Sequence, residues 1–260
     1  MQKRHLDRHL YFTELANTSR AFYIDYVDGH FPLTCDSRVL EVGCGDGGNL
    51  LPFAEIGCTV KGIDQSEERI SKAISYFKSF GDHASFSAIN FFDMEKTGRE
   101  DSYDVILVHD VIEHIADKDG FIKHLKQFVS SKGIIFWRFP AWQMPFGGHQ
   151  QICKSKVCSK LPFVHLLPTP LYRGLLSAFG ETGAKKEELI DIKRCRVTIE
   201  KFEQLLKANH CKVIERTLWF INPHYKQKFN LTPRKLPSFI SKTRYLRNFC
   251  TTSCYYITRA

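Results

Sequence analysis

Residues 39–50 read VLEVGCGDGGNL, and this stretch decides the fold. Its apolar start indicates a buried strand, and the glycines that follow let the backbone turn sharply and approach a ligand closely. Residues 49–55 can then open a helix whose N-terminal N–H groups face that ligand. Gly43, Gly45 and Gly48 also satisfy the pattern G-x-G-x-x-G, so a nicotinamide-dinucleotide site is one alternative.

Two further strand-like runs end in a carboxylate. Asp64 ends VKGID, 21 residues after Gly43, and Asp93 ends SFSAINFFD. An acid in the position of Asp64 places two acceptor oxygens against the hydroxyls of a ribose. Both acids are therefore candidates for contacts with a nucleoside.

The strand-like runs alternate with helical or turn-rich stretches. A fourth strand is predicted over residues 104–108, just before Asp110, and residues 66–80 are predicted to form one of the intervening helices. This alternation predicts an α/β fold with a doubly wound parallel sheet. The ligand then lies at the carboxyl ends of the strands, where the glycines and the acids fall.

These residues together resemble the class I S-adenosylmethionine-dependent methyltransferases, and within them the branch of the ubiquinone-biosynthesis O-methyltransferases. The resemblance covers about residues 36–140 well. It implies a Rossmann-like fold with a seven-stranded, mostly parallel sheet and S-adenosylmethionine as the cofactor. The matching elements are Glu41-x-Gly43-x-Gly45-x-Gly47, Asp64, Asp93 and Asp110-Val-Ile-Glu113-His114.

The resemblance also implies roles for individual residues. The loop of Glu41, Gly43, Cys44 and Gly45 would wrap the methionine part of the cofactor, Asp64 would bind the ribose, and Asp93 the adenine amino group. Gln65 and Met94 would flank the adenine, and His109 and Asp110 would face the sulfonium. Arg20 would pair with the cofactor carboxylate, or it is a surface arginine.

The dinucleotide alternative is disfavoured by charge. Glu41 and Asp46 would repel a pyrophosphate, whereas the cationic amino-acid moiety of a sulfonium cofactor makes use of nearby carboxylates.

The length predicts a single domain over residues 1–260, which the resemblance implies is a methyltransferase domain. The sequence has no apolar run of ~18 residues and no secretory signal. We therefore predict a cytoplasmic protein, either free or in peripheral contact with the inner face of a membrane. The nine cysteines form no C-x-x-C pair, which indicates reduced, buried thiols. Residues 1–35 are predicted to form an N-terminal helical cap.

The charge is unevenly distributed. Residues 1–140 hold 16 Lys and Arg against 21 Asp and Glu, whereas residues 141–260 hold 21 against 7. The basic half suits an anionic substrate, an anionic membrane face or nucleic acid, or it is a solvated surface that aids solubility.

The second half contains two predicted insertions. Residues 141–195 are predicted to form a lid over the substrate pocket, because the segment is too long and too apolar for a simple connection. Residues 222–250 form a second, basic insertion. Around them the sequence predicts strands at 133–139, 211–220 and 253–258, the last antiparallel, and a helix at 199–209 capped by Thr198.

Methyl transfer to a hydroxyl benefits from a base. His149 directly follows a pair of glycines after the fifth strand and is the predicted base. Asp110 is an alternative base or a substrate ligand. Glu113 and His114 can share a helical face with Asp110 and, with His149, could hold a divalent metal. They could also simply fix a helix to the sheet, and we predict no metal.

We therefore predict an enzyme that O-methylates a small apolar or lipid-linked acceptor. The apolar stretch 161–179, preceded by Lys154, Lys156 and Lys160, is predicted either to meet a membrane or to pack as a lid. A nucleic-acid 2′-hydroxyl methyltransferase is the alternative function, and a cofactor-binding scaffold without catalysis is a third.

Overall fold

A computed structural model describes residues 7–260 and places eight strands in one mixed sheet. The strand order across the sheet is β3-β2-β1-β4-β5-β8-β6-β7. The strands are β1 (Arg38–Val42), β2 (Thr59–Asp64), β3 (Ala84–Ala88), β4 (Tyr103–His109), β5 (Val129–Phe139), β6 (Lys212–Ile221), β7 (Arg234–Lys235) and β8 (Ser253–Arg259).

Helices cover both faces of this sheet. Two large apolar clusters flank it, and the buried strands β1, β4 and β5 contribute to both. The helices are α1 (Arg8–Thr18), α2 (Ile24–Asp28), α3 (Leu51–Ile56), α4 (Glu67–Tyr76), α5 (Lys118–Lys126), α6 (Thr169–Ala178), α7 (Gly183–Cys195), α8 (Ile199–Ala208), α9 (His224–Phe229), α10 (Ser238–Lys242) and α11 (Leu246–Cys250).

The predicted doubly wound sheet is confirmed. Strands β1 to β5 pair parallel with one another, and β8 pairs antiparallel with both β5 and β6. The predicted count of seven strands is wrong, because β7 adds a two-residue edge strand on β6 inside the second insertion. The cap at Thr198 is confirmed, since its hydroxyl accepts from the Lys201 N–H at 3.0 Å.

Two predicted element boundaries are wrong. Strand β3 ends at Ala88, and a single 3₁₀ turn at residues 91–93 follows, so Asp93 does not end a strand. The helix expected directly after β4 does not open there. Asp110 has φ +54°, which a right-handed helix cannot continue, and residues 111–115 form a turn before α5 begins.

The N-terminal segment packs over the glycine loop. A side chain at Gly48 would meet the backbone oxygen of Phe12 and the side chain of Leu15, so α1 lies directly against the loop. Within residues 1–35, predicted to form an N-terminal helical cap, α1 and α2 lie between Arg8 and Asp28 and are joined by a π-helical turn, while residues 1–6 lie outside the described part.

The first insertion has a core of its own. Cys153, Cys158, Tyr172, Leu176 and Leu189 are fully buried among themselves, and they hold α6 and α7 together. All nine cysteines are free thiols. Within residues 7–260, no helix has the length and apolar character needed to cross a membrane.

Candidate functional site

The glycine loop after β1 forms one wall of an open cleft of about 450 Å³. Gly43 has φ +73°, and an added Cβ would lie 2.4 Å from the side chain of Val111, so only glycine fits there. The Gly43 and Cys44 N–H groups donate to the Ile63 carbonyl at 2.8 and 3.0 Å. The Cys44 side chain points into the core, and Cys44 is not among the residues that line the cleft.

Asp64 supports this loop from the end of β2. One carboxylate oxygen accepts from the Gly45 N–H and the other from the Ser66 N–H, both at 2.9 Å. Asp64 and Gln65 line the cleft, as predicted for cofactor ligands. Each carboxylate oxygen can accept more than one hydrogen bond, so Asp64 can hold the loop and still bind hydroxyl groups.

Glu41 lies beneath the loop and is fully buried. The Asn49 side-chain amide donates to its Oε1 at 2.7 Å, while Oε2 has no partner among the described residues. Burial raises the pKa of Glu41 to about 8, although the hydrogen bond from Asn49 acts in the opposite direction. The carboxyl group is therefore mostly protonated at neutral pH.

The far wall of the cleft differs from the predicted one. Its lining comes from Ile89, Asn90, Phe91 and Phe92, which lie between β3 and Asp93. The Met94 side chain is buried in the main core, and Asp93 is exposed and outside the lining. Strand β3 stops at Ala88, so the residues at the cleft lie a few positions earlier than the apolar run suggested.

Arg20 also lies away from the cleft. Its guanidinium pairs with the Glu55 carboxylate at 2.7 Å on the surface. The arginine beside the glycine loop is Arg8, which pairs with Asp46 at 2.6 Å, and Arg69 lines the cleft itself. The predicted contact of Arg20 with a cofactor carboxylate stays a prediction.

Asp110 lines both the cleft and a second cavity of about 210 Å³. Its carboxylate forms an ion pair with Arg138, and its N–H donates to the Arg138 carbonyl at 2.8 Å. Burial acts to raise the pKa of Asp110, but the charge of Arg138, its hydrogen bond to Asp110 and the nearby His109 and His149 together outweigh burial and hold the pKa at about 2. His109 packs against the Tyr23 ring at 5.7 Å, and burial lowers its pKa to about 4.

Three side chains that could bind a metal ion lie close together near Asp110. Atoms of Glu113, His114 and His149 that could bind a metal all lie within 4.8 Å of one another. Both Glu113 carboxylate oxygens are buried and have no hydrogen-bond partner within residues 7–260. Burial, and then the charge of Asp110, raises the pKa of Glu113 well above its usual value.

His149 reaches this group from the first insertion. Its backbone has φ +57°, and its ring lies 5.0 Å from the His114 ring. Burial lowers the pKa of His149 to about 4, so the imidazole is neutral at pH 7. A neutral imidazole can accept a proton or bind a metal. The turn after β4 and the first insertion thus bring together the Glu-His pair and His149, whereas Asp110 lies outside this group.

The second cavity is lined by aromatic and polar side chains. Most of its lining comes from four regions: α1, the residue after β4, the end of β5 with the first insertion, and the second insertion. Its lining includes Tyr11, Asp110, Arg138, His149, Asn222, His224, Tyr225 and Lys228. Sequence reasoning missed Arg138, although a single arginine in the otherwise apolar strand GIIFWRF was a usable signal.

Comparison with known proteins assigns this architecture to a class. Residues 11–162, more than half of the chain, match the family described as "Methyltransferase domain". The chain belongs to this family. This membership confirms the predicted class, the S-adenosylmethionine-dependent methyltransferases, and with it S-adenosylmethionine rather than a dinucleotide as the cofactor.

The similar curated proteins match only part of this chain. The chain is 35% identical over 99 residues to a ubiquinone biosynthesis O-methyltransferase of Agrobacterium fabrum, and 34% identical over 99 residues to one of Rhizobium leguminosarum bv. trifolii. These matches span 38% of this chain and 39% and 38%, respectively, of the length of those relatives.

Solved structures match nearly the whole chain in fold. The plantazolicin methyltransferase BpumL, bound to a pentazolic substrate analog and SAH, superposes with a TM-score of 0.58 at 15% identity, over 98% of this chain and 88% of that one. The magnesium protoporphyrin IX methyltransferase of Synechocystis PCC 6803, bound to SAH, gives 0.55 at 14% identity, over 95% and 85%. At these identities the likeness shows the fold alone.

Proposed function

We propose that this protein transfers a methyl group from S-adenosylmethionine to a hydroxyl of a small apolar or lipid-linked acceptor. The observation that carries the proposal is that Asp110 lines both the cleft of the glycine loop and a separate cavity lined by aromatic and polar groups. Such a pair of cavities suits a reaction between a bound cofactor and a second small molecule.

The chain contributes mainly positioning. S-adenosylmethionine supplies an electrophilic methyl group on sulfur, and the acceptor oxygen must lie in line with it, shielded from water. Tyr11, Tyr225 and Phe146 line the second cavity and suit an apolar ring. The volume of about 210 Å³ limits the part of the acceptor that enters to a small group, with any long tail outside.

His149 is the proposed base. Its ring lines the second cavity, next to Asp110, and it is neutral at pH 7 because it is buried. It would take the proton of the acceptor hydroxyl as the oxygen forms its bond to the methyl carbon and the carbon–sulfur bond breaks. Asp110 is a weaker candidate, because its ion pair with Arg138 keeps its pKa at about 2.

The group of Glu113, His114 and His149 also fits a divalent metal. Two imidazoles and one carboxylate are a donor set typical of transition metals, and the unpartnered oxygens of Glu113 leave that carboxylate available as a ligand. A metal held there would occupy His149, and as a Lewis acid that lowers the pKa of the acceptor hydroxyl it would replace His149 as the means of deprotonation. The alternative, a Glu–His pair that only fixes the turn after β4, leaves both Glu113 oxygens without a partner in residues 7–260.

The acceptor can be sought directly. The protein is incubated with cell extract and S-adenosylmethionine carrying a labelled methyl group, and small molecules that gain the label are identified by mass spectrometry. We expect labelled O-methyl products that are soluble in organic solvent. Label found only in RNA would contradict the proposal and favour the 2′-hydroxyl alternative, and cofactor binding without any labelled product would favour the scaffold.

The metal is tested separately by calorimetric titration of the chelator-treated protein with Mn²⁺ and Zn²⁺. We expect one binding event, lost in Glu113→Gln and retained in the control Glu188→Gln, whose carboxylate is exposed on α7. Heat that is the same in both variants would remove the metal from this group and leave the proposed role of His149 as a base.

A further inference from the structure

The second insertion is strongly basic. Residues 222–250 contain seven Lys and Arg and no Asp or Glu. Most of these cations face solvent, whereas Arg247 is buried and paired with Glu200 and Glu203. The exposed ones are Lys226, Arg234, Lys235, Lys242 and Arg244.

Large apolar side chains stand exposed among these cations. Phe239 is 72% exposed and Tyr245 64% exposed, the latter with the Arg244 guanidinium 5.5 Å from its ring centre. The Phe249 ring lies 6.4 Å from Phe163 of the first insertion, so the two insertions meet on this surface. We call the exposed set the aromatic ridge: Phe163, Phe239, Tyr245, Leu246 and Phe249.

Buried contacts hold the backbone of the aromatic ridge against the rest of the domain. The buried Glu200 carboxylate accepts from the Tyr245 N–H at 3.0 Å and from the side-chain amide of Asn248 at 2.6 Å. Ile240, next to Phe239, packs against the main core. The exposure of the ridge is therefore part of an ordered surface, since its backbone is held by buried contacts.

Two ridge residues adopt an unfavourable backbone conformation. Tyr245 has φ +66° and Phe163 φ +64°, a region that bulky residues rarely occupy. The Phe163 and Tyr245 side chains, 40% and 64% exposed, are thus held at the surface by a backbone conformation that costs free energy. Strain kept at such positions is typical of binding surfaces.

We propose that the aromatic ridge docks on an anionic lipid bilayer. Exposed cations interleaved with aromatic and aliphatic side chains combine attraction to anionic headgroups with insertion into the boundary of the acyl chains. This proposal deepens the proposed function. Asn222, His224 and Tyr225, at the start of the same insertion, line the second cavity, so docking would bring that cavity near lipid-linked acceptors.

The apolar part of the ridge distinguishes a bilayer from RNA. Single-stranded RNA is bound by cations and by aromatic faces on which bases stack. Leu246 offers no such face, and a lipid interior buries it favourably.

The test uses the full-length protein and co-sedimentation with vesicles of phosphatidylcholine alone or of phosphatidylcholine and phosphatidylglycerol in equal parts. We expect binding to the mixed vesicles only. Two double variants address the two parts of the ridge: Lys242→Gln with Arg244→Gln, and Phe239→Ser with Leu246→Ser. Each should weaken vesicle binding about tenfold or more.

Matched controls remove the same groups elsewhere. Lys78→Gln with Lys132→Gln removes two exposed cations, and Ile56→Ser with Ile74→Ser removes two exposed apolar side chains. Neither control pair lies in either insertion, and Ile74 on α4 is near β3, at the edge of the sheet opposite to β7. Both controls should bind vesicles like the wild type, and all variants should keep their affinity for S-adenosylhomocysteine.

Three results would overturn the docking proposal. They are absence of binding to the mixed vesicles, equal binding by ridge and control variants, and ridge variants that lose affinity for a single-stranded RNA while wild-type protein ignores vesicles. The vesicle assay needs no methyl acceptor, so its failure leaves the proposed methyl transfer intact. Failure to label any acceptor would likewise leave the docking proposal intact.

Discussion

The two halves of this chain follow different rules. In residues 1–140, short parallel strands place a ligand-binding loop at their carboxyl ends, and the net charge is −5 from 16 basic and 21 acidic residues. In residues 141–260, two insertions contribute to the second cavity, and the net charge is +14 from 21 basic and 7 acidic residues. The first half builds a cofactor site by backbone geometry, and the second adds the side chains that would select an acceptor.

The similarity of this chain to known proteins extends further in fold than in sequence. The curated relatives align over 99 residues, whereas the fold extends over nearly the whole chain. A glycine loop bound to a constant cofactor tolerates few sequences, because a Cβ at Gly43 would collide with Val111. Surface segments that carry the particular function of a protein commonly vary while the underlying sheet is kept.

The largest expected effect comes from His149, which the second half supplies to the lining of the second cavity. His149→Ala should lower turnover about 10²–10⁴-fold, the usual contribution of a positioned base, and leave the affinity for S-adenosylhomocysteine nearly unchanged. Turnover is measured on the acceptor found by labelling, and affinity by calorimetry.

His210→Ala is the matched control, because His210 is exposed and also has a positive φ, +57°. Equal turnover of His149→Ala and wild type would mean that the second half contributes no base, and catalysis would then rest on Asp110 or on positioning alone.

The cofactor half was largely predictable from sequence for a physical reason. Its glycines, the acid after β2 and the alternation of strands and helices are local patterns, and a parallel sheet brings strand ends together without further information. Asp64 was placed correctly at the cleft because a strand that ends in an acid leaves little choice of position. The grouping of Glu113, His114 and His149 was also foreseen as a possibility, although with a helix where a turn is found.

Other features depend on contacts that sequence patterns do not record. The run SFSAINFFD continues in apolar residues past Ala88, so nothing local marks where β3 ends, and the cleft residues Phe91 and Phe92 were missed. Arg20 was expected at the cofactor, but Glu55, 35 residues away along the chain, lies close enough to pair with it on the surface. Arg138 on β5 is placed by its ion pair with Asp110, which follows the neighbouring strand β4.

A second prediction concerns the acidic character of the first half. Burial raises the pKa of Glu41 from about 4.5 to about 8, so the folded state holds a proton that the unfolded chain releases in that window. Stability should therefore fall as the pH rises from about 4.5 to about 8, by at most about 1.4 kcal/mol per pH unit. Glu41→Gln cannot titrate, so its free energy of unfolding relative to wild type should rise with pH.

Denaturant unfolding of both proteins at several pH values measures this difference, and other titrating groups cancel in the comparison. Parallel curves for Glu41→Gln and wild type would show that Glu41 is ionised in the folded protein, and the first half would then hold one more negative charge beneath its glycine loop.

A third prediction separates the two acids assigned to the cofactor. Asp64→Ala should weaken binding of S-adenosylmethionine by about 2–4 kcal/mol, because one or two charged hydrogen bonds are lost and the Gly45 N–H loses its acceptor. Asp93→Ala should have a much smaller effect, since Asp93 lies outside the cleft lining. Calorimetry on folded variants measures both, and equal losses would restore the adenine contact assigned to Asp93 from the sequence.

The smallest expected effect tests the wall of the cleft that sequence reasoning missed. Phe92 lines the cleft, is 42% exposed, and its ring centre lies 6.2 Å from that of His124 with 26° between the ring planes. Phe92→Ala should weaken binding of S-adenosylmethionine by about 1 kcal/mol, the usual contribution of one aromatic contact. Phe239→Ala removes an exposed ring from the aromatic ridge in the second half and should leave cofactor affinity unchanged. If both variants bind the cofactor like the wild type, the residues between β3 and Asp93 only shape the cleft. If Phe239→Ala also weakens binding, the cofactor site extends into the second half, and the division between the two halves fails.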